Sequence, residues 1–175
     1  MGIDALRSQF ADYAKDIKLN LSSVLTPTGA PGLSQSQIYG VALASAYAVK
    51  NVELIDAILA DAADTLSAEH KQAAKIAAVI MAMNNVYYRF VHLVSDKAYS
   101  KLPAKLRMNG IANSGIESVD FELYSLAVSA INGCGMCIDA HVQQLEKAGV
   151  SQLAIQSSVR IAAVINASVQ ALTIN

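Results

Sequence analysis

Charge is scarce in this chain of 175 residues: Asp, Glu, Lys and Arg make up 15% of it, and the formal net charge is −1. No cluster of lysine and arginine falls on any predicted helix. Binding to nucleic acid phosphates needs such a basic surface, so the charge argues against electrostatic recognition of DNA or RNA. Long apolar runs are also missing. No stretch reaches the roughly 18 uninterrupted apolar residues of a membrane span. The start, Met1-Gly2-Ile3-Asp4, lacks the basic-then-apolar pattern of a secretory signal. Leu6 stands where myristoylation favours Ser or Thr. These absences read as a cytoplasmic protein. Cysteine is limited to two residues, and in that compartment two thiols point to catalysis or redox chemistry rather than a structural staple.

Alternating strand patterns are almost absent and helix formers dominate, so the chain reads as all-α, one helical domain over residues 1–175. Hydrophobic residues make up 54%, much of it Ala. That is more apolar surface than one small domain usually buries, so a homo-oligomer is expected, the alternative being a tightly packed Ala-rich monomer. Ile3, Leu6, Phe10, Tyr13, Ala14 and Ile17 follow helical spacing, and the segment Thr26 to Gly32 is a strong breaker. Ser34 caps a predicted helix to about Lys50, and a second covers about Val52 to Asp64. Ser67 opens a strongly apolar helix expected to break at Asn84-Asn85, resume at Val86 and fade near Asp96. Ser95 to Gly115 reads as mostly irregular. Ser118 caps the next predicted helix, and Asn132-Gly133 interrupts it. A helix from Cys134 to about Lys147 stops at Gly149, and Ser151 opens the last one. Ala82 to Asn85 echoes Ala130 to Gly133, and Leu33-Ser34-Gln35 echoes Val150-Ser151-Gln152, at offsets of 48 and 117. Two similar helical halves and chance echoes in an Ala-rich bundle both fit.

The chemistry concentrates in Cys134-Gly135-Met136-Cys137 and His141. Thiols three apart on a helix share a face and can close into a disulfide and reopen. His141, four residues past Cys137, falls on that face and can exchange a proton with it. Cys134 sits at the expected helix start, where free N–H groups and the dipole stabilise a thiolate. A disulfide across so short a loop gains little from chain entropy, which makes a purely structural role unattractive. Zinc is the chemical rival, but it would need a fourth ligand such as Glu122 or Asp139, and His70 and His92 lie in other segments. A thioredoxin-type scaffold would need a preceding strand, and none is predicted. Glu122 would lie about 28 Å from His141 along one unbroken helix. A reversal at Asn132-Gly133 instead places them about 15 Å and 12 Å from the turn, facing each other. A carboxylate there would orient the ring as a base. A helix-dipole role for Glu122 fits equally. Asn132 reads as a helix cap, Asp139 as solvated, and Tyr87, Tyr88, Tyr124, Met81 and Met83 as packing.

Phe121-Glu122-Leu123, the run Ala127 to Cys134, Cys137 and His141 resemble the alkylhydroperoxidase AhpD family, of the carboxymuconolactone decarboxylase-like superfamily. So do Tyr13 to Leu21, Met81 to Arg89 and Leu106 to Asn109, so the resemblance covers nearly the whole chain. It implies an all-helical homotrimer and an antioxidant lipoyl-dependent peroxidase that also reduces the peroxiredoxin AhpC. It further implies that no cofactor is bound and that electrons come from dihydrolipoamide on an acyltransferase, and from NADH through dihydrolipoamide dehydrogenase. By the same resemblance Cys137 is the peroxide-attacking thiol that becomes a sulfenic acid. Cys134 donates a proton and resolves it to the disulfide, and His141 and Glu122 form the proton relay. Some members carry His before the second cysteine, where Met136 stands here. The helix-dipole argument alone favours Cys134 as the attacker, so the order of the thiols stays open on the residues themselves. A dithiol relay without peroxidase activity and a zinc-stabilised oligomer are the alternatives.

Overall fold

The structure, a computed structural model, describes residues 1–174. Among them are nine α-helices, two 3₁₀ turns and no strand, as the composition leads one to expect. The helices are α1 (Ile3–Arg7), α2 (Lys15–Val24), α3 (Gln35–Val49), α4 (Val52–Asp61), α5 (Ala68–Leu93), α6 (Asn109–Ala112), α7 (Ser118–Asn132), α8 (Gly135–Lys147) and α9 (Gln152–Thr173). None is long and apolar enough to cross a membrane.

The centre is built from α3 and α7, which are buried on nearly every side. In α3 this covers Ile38 and the run Gly40 to Ala46; in α7 it covers Phe121 and the run Leu123 to Ser129. A helix buried all round is apolar all round, which is why these segments lack a polar face. Both central helices pack on each other and on the long helices α5 and α9. Small side chains let the axes come close: Ala42, Ala44, Ala46, Ala73, Ala74, Ala77 and Ala127 are all fully buried. Much of the alanine is thus consumed inside the protomer. Gly40 marks the tightest approach, because a Cβ there would overlap the ring of Tyr124 on α7. The Tyr124 hydroxyl is buried without a hydrogen-bond partner among the described residues, and burial pushes its ionisation far above the usual phenol range.

The chain repeats itself in structure. A 15-residue helix ends in a left-handed residue, Lys50 after α3 and Gly133 after α7. One N-cap residue follows, Asn51 or Cys134, then a short helix, then a serine-capped long helix opened by Ser67 or Ser151. Two similar halves therefore exist, but at a register of 83–84 positions, not at the 48 and 117 of the sequence echoes. The backbone pattern of helix, left-handed stop and cap carries the repeat, and residue identity does not.

Two further expectations are corrected. Helix α5 runs unbroken through Asn84-Asn85, because both side chains are buried and Asn85 finds partners on α7. Ser118 is the first helical residue and not the cap, since the Phe121 N–H already closes onto the Glu117 carbonyl. The irregular stretch holds a 3₁₀ turn, Lys97–Lys101, and the single turn α6. The caps Ser34, Ser67 and Ser151 are where expected, and Ser34 with Gln37 makes a full capping box.

Gly40→Ala should lower the melting temperature by about 3–10 °C, the cost of overpacking a closed interior. Tyr124→Phe, which removes a buried unpaired hydroxyl, should leave it unchanged or raise it. Thermal unfolding followed by circular dichroism checks both.

Candidate active site

The site begins with the reversal between α7 and α8. Gly133 adopts φ +67, a left-handed conformation that costs glycine nothing, and this ends α7. Cys134 follows in extended backbone and caps α8, its Sγ accepting the Cys137 N–H at 3.3 Å. The two helices then run back along each other.

A polar network fixes the end of α7. Asn85 donates from Nδ2 to Ser129 Oγ at 2.9 Å, and Asn132 donates from Nδ2 to Asn85 Oδ1 at 2.9 Å. Arg89 donates to the Asn132 carbonyl at 2.7 Å. Asn132 is thus the last helical residue with its side chain turned toward α5, and the cap position belongs to Gly133. At the other end of α7, Asp120 accepts from Gln37 at 2.8 Å and meets His70 Nε2 at 3.2 Å. His70 is therefore a structural partner far from the thiols in sequence, and His92 is exposed.

Cys134 and Cys137 form a disulfide. Cys134 is fully buried, whereas Cys137 is 7% exposed and lines a cavity of about 250 Å³. His141 lines the same cavity. Its Nδ1 lies 2.6 Å from Glu122 Oε2, so the hairpin brings the imidazole and carboxylate together as the spacing implied. Glu122 sits beyond the first turn of α7, where Asp120 is the acidic residue, so the dipole role does not account for it. With a carboxylate oxygen as the acceptor, Nδ1–H is the donor and Nε2 is the ring nitrogen left to meet other groups. In this oxidised form Nε2 faces the Met81 sulfur at 3.3 Å.

All four residues singled out in the sequence thus come together. Met81 and Asn84 were missed. Met81 was read as packing and Asn84 as a helix end, yet both line the Cys137 cavity with Tyr88. Their spacing, Met81-Asn84-Tyr88, places them on one stripe of α5 and was the available signal. Ile111 of α6 and Met136 complete the apolar wall. Among the described residues no three His, Cys, Asp or Glu side chains converge as a metal ion would require.

The disulfide closes a loop so short that its chain-entropy contribution is only about 2 kcal/mol. Reduction should therefore keep the helical circular dichroism signal and lower the melting temperature by less than about 8 °C.

The chain is similar to known proteins along nearly its whole length. The carboxymuconolactone decarboxylase family pattern matches residues 97–174, the half that carries the dithiol. The alkyl hydroperoxide reductase AhpD of Coxiella burnetii (strain RSA 493 / Nine Mile phase I) is 58% identical over 168 residues, 96% of this chain and 95% of that protein. Its counterpart in Rhodopseudomonas palustris (strain BisA53) is 57% identical, over 94% of this chain and 89% of the relative. That of Hyphomonas neptunium (strain ATCC 15444) is 54% identical, over 98% and 94%. With likeness of this order along nearly the full length of each, the chain belongs to the alkyl hydroperoxide reductase AhpD family.

Proposed function

We propose that this protein is a cytoplasmic antioxidant peroxidase that reduces alkyl hydroperoxides through its Cys134–Cys137 pair, with dihydrolipoamide as electron donor. The observation that carries the reading is one cavity shared by Cys137 and an imidazole held by Glu122. Access supports Cys137 as the attacking thiol, because Cys134 is sealed beneath the turn.

In the dithiol form, His141 Nε2 takes the Cys137 proton while Glu122 steadies the resulting imidazolium. The Cys137 thiolate attacks the terminal peroxide oxygen: an S–O bond forms, the O–O bond breaks, and Cys137 is oxidised to a sulfenic acid. The departing alkoxide takes the Cys134 proton and leaves as alcohol. The Cys134 thiolate then attacks the Cys137 sulfur, forming the disulfide and releasing hydroxide, which His141 protonates to water. Thiol–disulfide exchange with a dihydrolipoamide returns both thiols and yields lipoamide. The same exchange, run toward a partner disulfide, would let the protein reduce AhpC. A lipoyl-bearing acyltransferase and its dihydrolipoamide dehydrogenase would supply the electrons, ultimately from NADH.

A homotrimer belongs to the same proposal. Val79, Val86, Phe90 and Leu93 form an exposed apolar stripe along α5, with Val79 71% and Leu93 70% accessible in the protomer. Sedimentation should give three times the 18.4 kDa chain mass.

The first test couples this protein, lipoamide, dihydrolipoamide dehydrogenase and an organic hydroperoxide to NADH oxidation. Turnover is expected in the wild type and should vanish in Cys137→Ser. Turnover surviving in that variant would overturn Cys137 as the attacking thiol. No turnover with folded, reduced wild type would overturn the peroxidase reading in favour of a dithiol relay.

A further inference from the structure

Two asparagines stand side by side in α5, and they are treated differently. Asn85 is fully engaged, donating to Ser129 and accepting from Asn132. Asn84 is 6% exposed, and its Oδ1 is buried with no hydrogen-bond partner among the described residues. A buried acceptor without a partner is costly, so each case in a folded protein calls for an explanation. Asn84 lines the cavity that Cys137 and His141 also line. Apart from these groups the wall is apolar, made by Met81, Ile111, Met136 and Ala140 with the Tyr88 ring.

Asn84 therefore stands at this otherwise apolar cavity with an unpaired buried acceptor, beside Cys137 and the imidazole of His141. An organic hydroperoxide is the complement of that surface: it has a single O–H donor at the end to be attacked and an apolar body behind it. We propose that Asn84 Oδ1 accepts the hydrogen bond of the hydroperoxide O–H and so aims the terminal oxygen at Cys137, with the organic group against Met136 and Ile111. This deepens the peroxidase reading and rests on it.

The chemistry favours this contact. As the S–O bond forms and the O–O bond breaks, the hydrogen held by Asn84 stays on the transferred oxygen and becomes the sulfenic acid O–H. Asn84 thus keeps its partner from bound substrate through the transition state to the product. The contact orients without transferring a proton, and the alkoxide leaves toward the proton donors already described. A contact held from bound substrate through the transition state speeds the reaction of free protein with free hydroperoxide by binding and orienting it.

The test uses the reduced full-length protein, mixed rapidly with cumene hydroperoxide while disulfide formation is followed. In parallel the thiols are blocked with methyl methanethiosulfonate, which reads thiolate reactivity and has no donor for Asn84. For Asn84→Ala the peroxide rate constant should fall about tenfold or more, the loss of one hydrogen bond in the transition state. The blocking rate should stay within about twofold of wild type. Asn84→Leu, which keeps the branched side-chain shape without the acceptor, serves if the alanine variant does not fold. A peroxide rate within about twofold of wild type overturns the proposal. So does a parallel fall in the blocking rate, which would mean that Asn84 acts on the thiol and not on the peroxide. A wild-type peroxide rate no faster than that of a free thiol would sink the peroxidase reading itself, and the assignment of Asn84 with it.

Discussion

The single left-handed residue at Gly133 is the constraint on which the site depends. It stops α7, turns the next residue into the cap of α8, and sends α8 back along the helix it has just left. Without that turn Glu122 and His141 would lie on one rod, about 28 Å apart by the standard rise. With it they meet at 2.6 Å. The burial of Cys134 and the placement of Cys137 at the cavity follow from the same turn, since one is the cap and the other lies in the first helical turn.

A polar cluster holds each end of α7 in a bundle that is otherwise largely apolar. Asn85, Ser129, Asn132 and Arg89 hold its C-terminal end against α5, just before the reversal. Gln37, His70 and Asp120 hold its N-terminal end against α3 and α5. Each buried group in these clusters is matched, which is the condition under which burial of polarity fixes one arrangement without a large penalty.

Local signals made part of this legible. The serines at 34, 67 and 151 announced three helices because a side-chain acceptor at a helix start is a local device. The pairing of Glu122 with His141 could be read from residue spacing once a reversal at Gly133 was allowed. The pair Asn84-Asn85 was misread as a break because asparagine favours turns when nothing else acts on it, whereas here the contacts of Asn85 to Ser129 and Asn132 and the burial of both side chains override that preference. The structural repeat was hidden for a similar reason. At matched positions Asn51 stands for Cys134, Leu54 for Cys137, Ile58 for His141 and Tyr39 for Glu122, so no residue at the site is shared.

That replaced quartet says something about the redox cycle. In the first half Asn51 accepts the Leu54 N–H and caps α4 with no sulfur present, as Cys134 accepts the Cys137 N–H in the second. The corner thus exists as backbone geometry, held by an ordinary oxygen acceptor as readily as by a thiol. A fold whose corner owes nothing to the sulfur–sulfur bond is not asked to change shape when that bond opens. Gain and loss of two electrons can then be confined to a few side chains, and each turnover starts from an already assembled scaffold, with little reorganisation separating one oxidation state from the other.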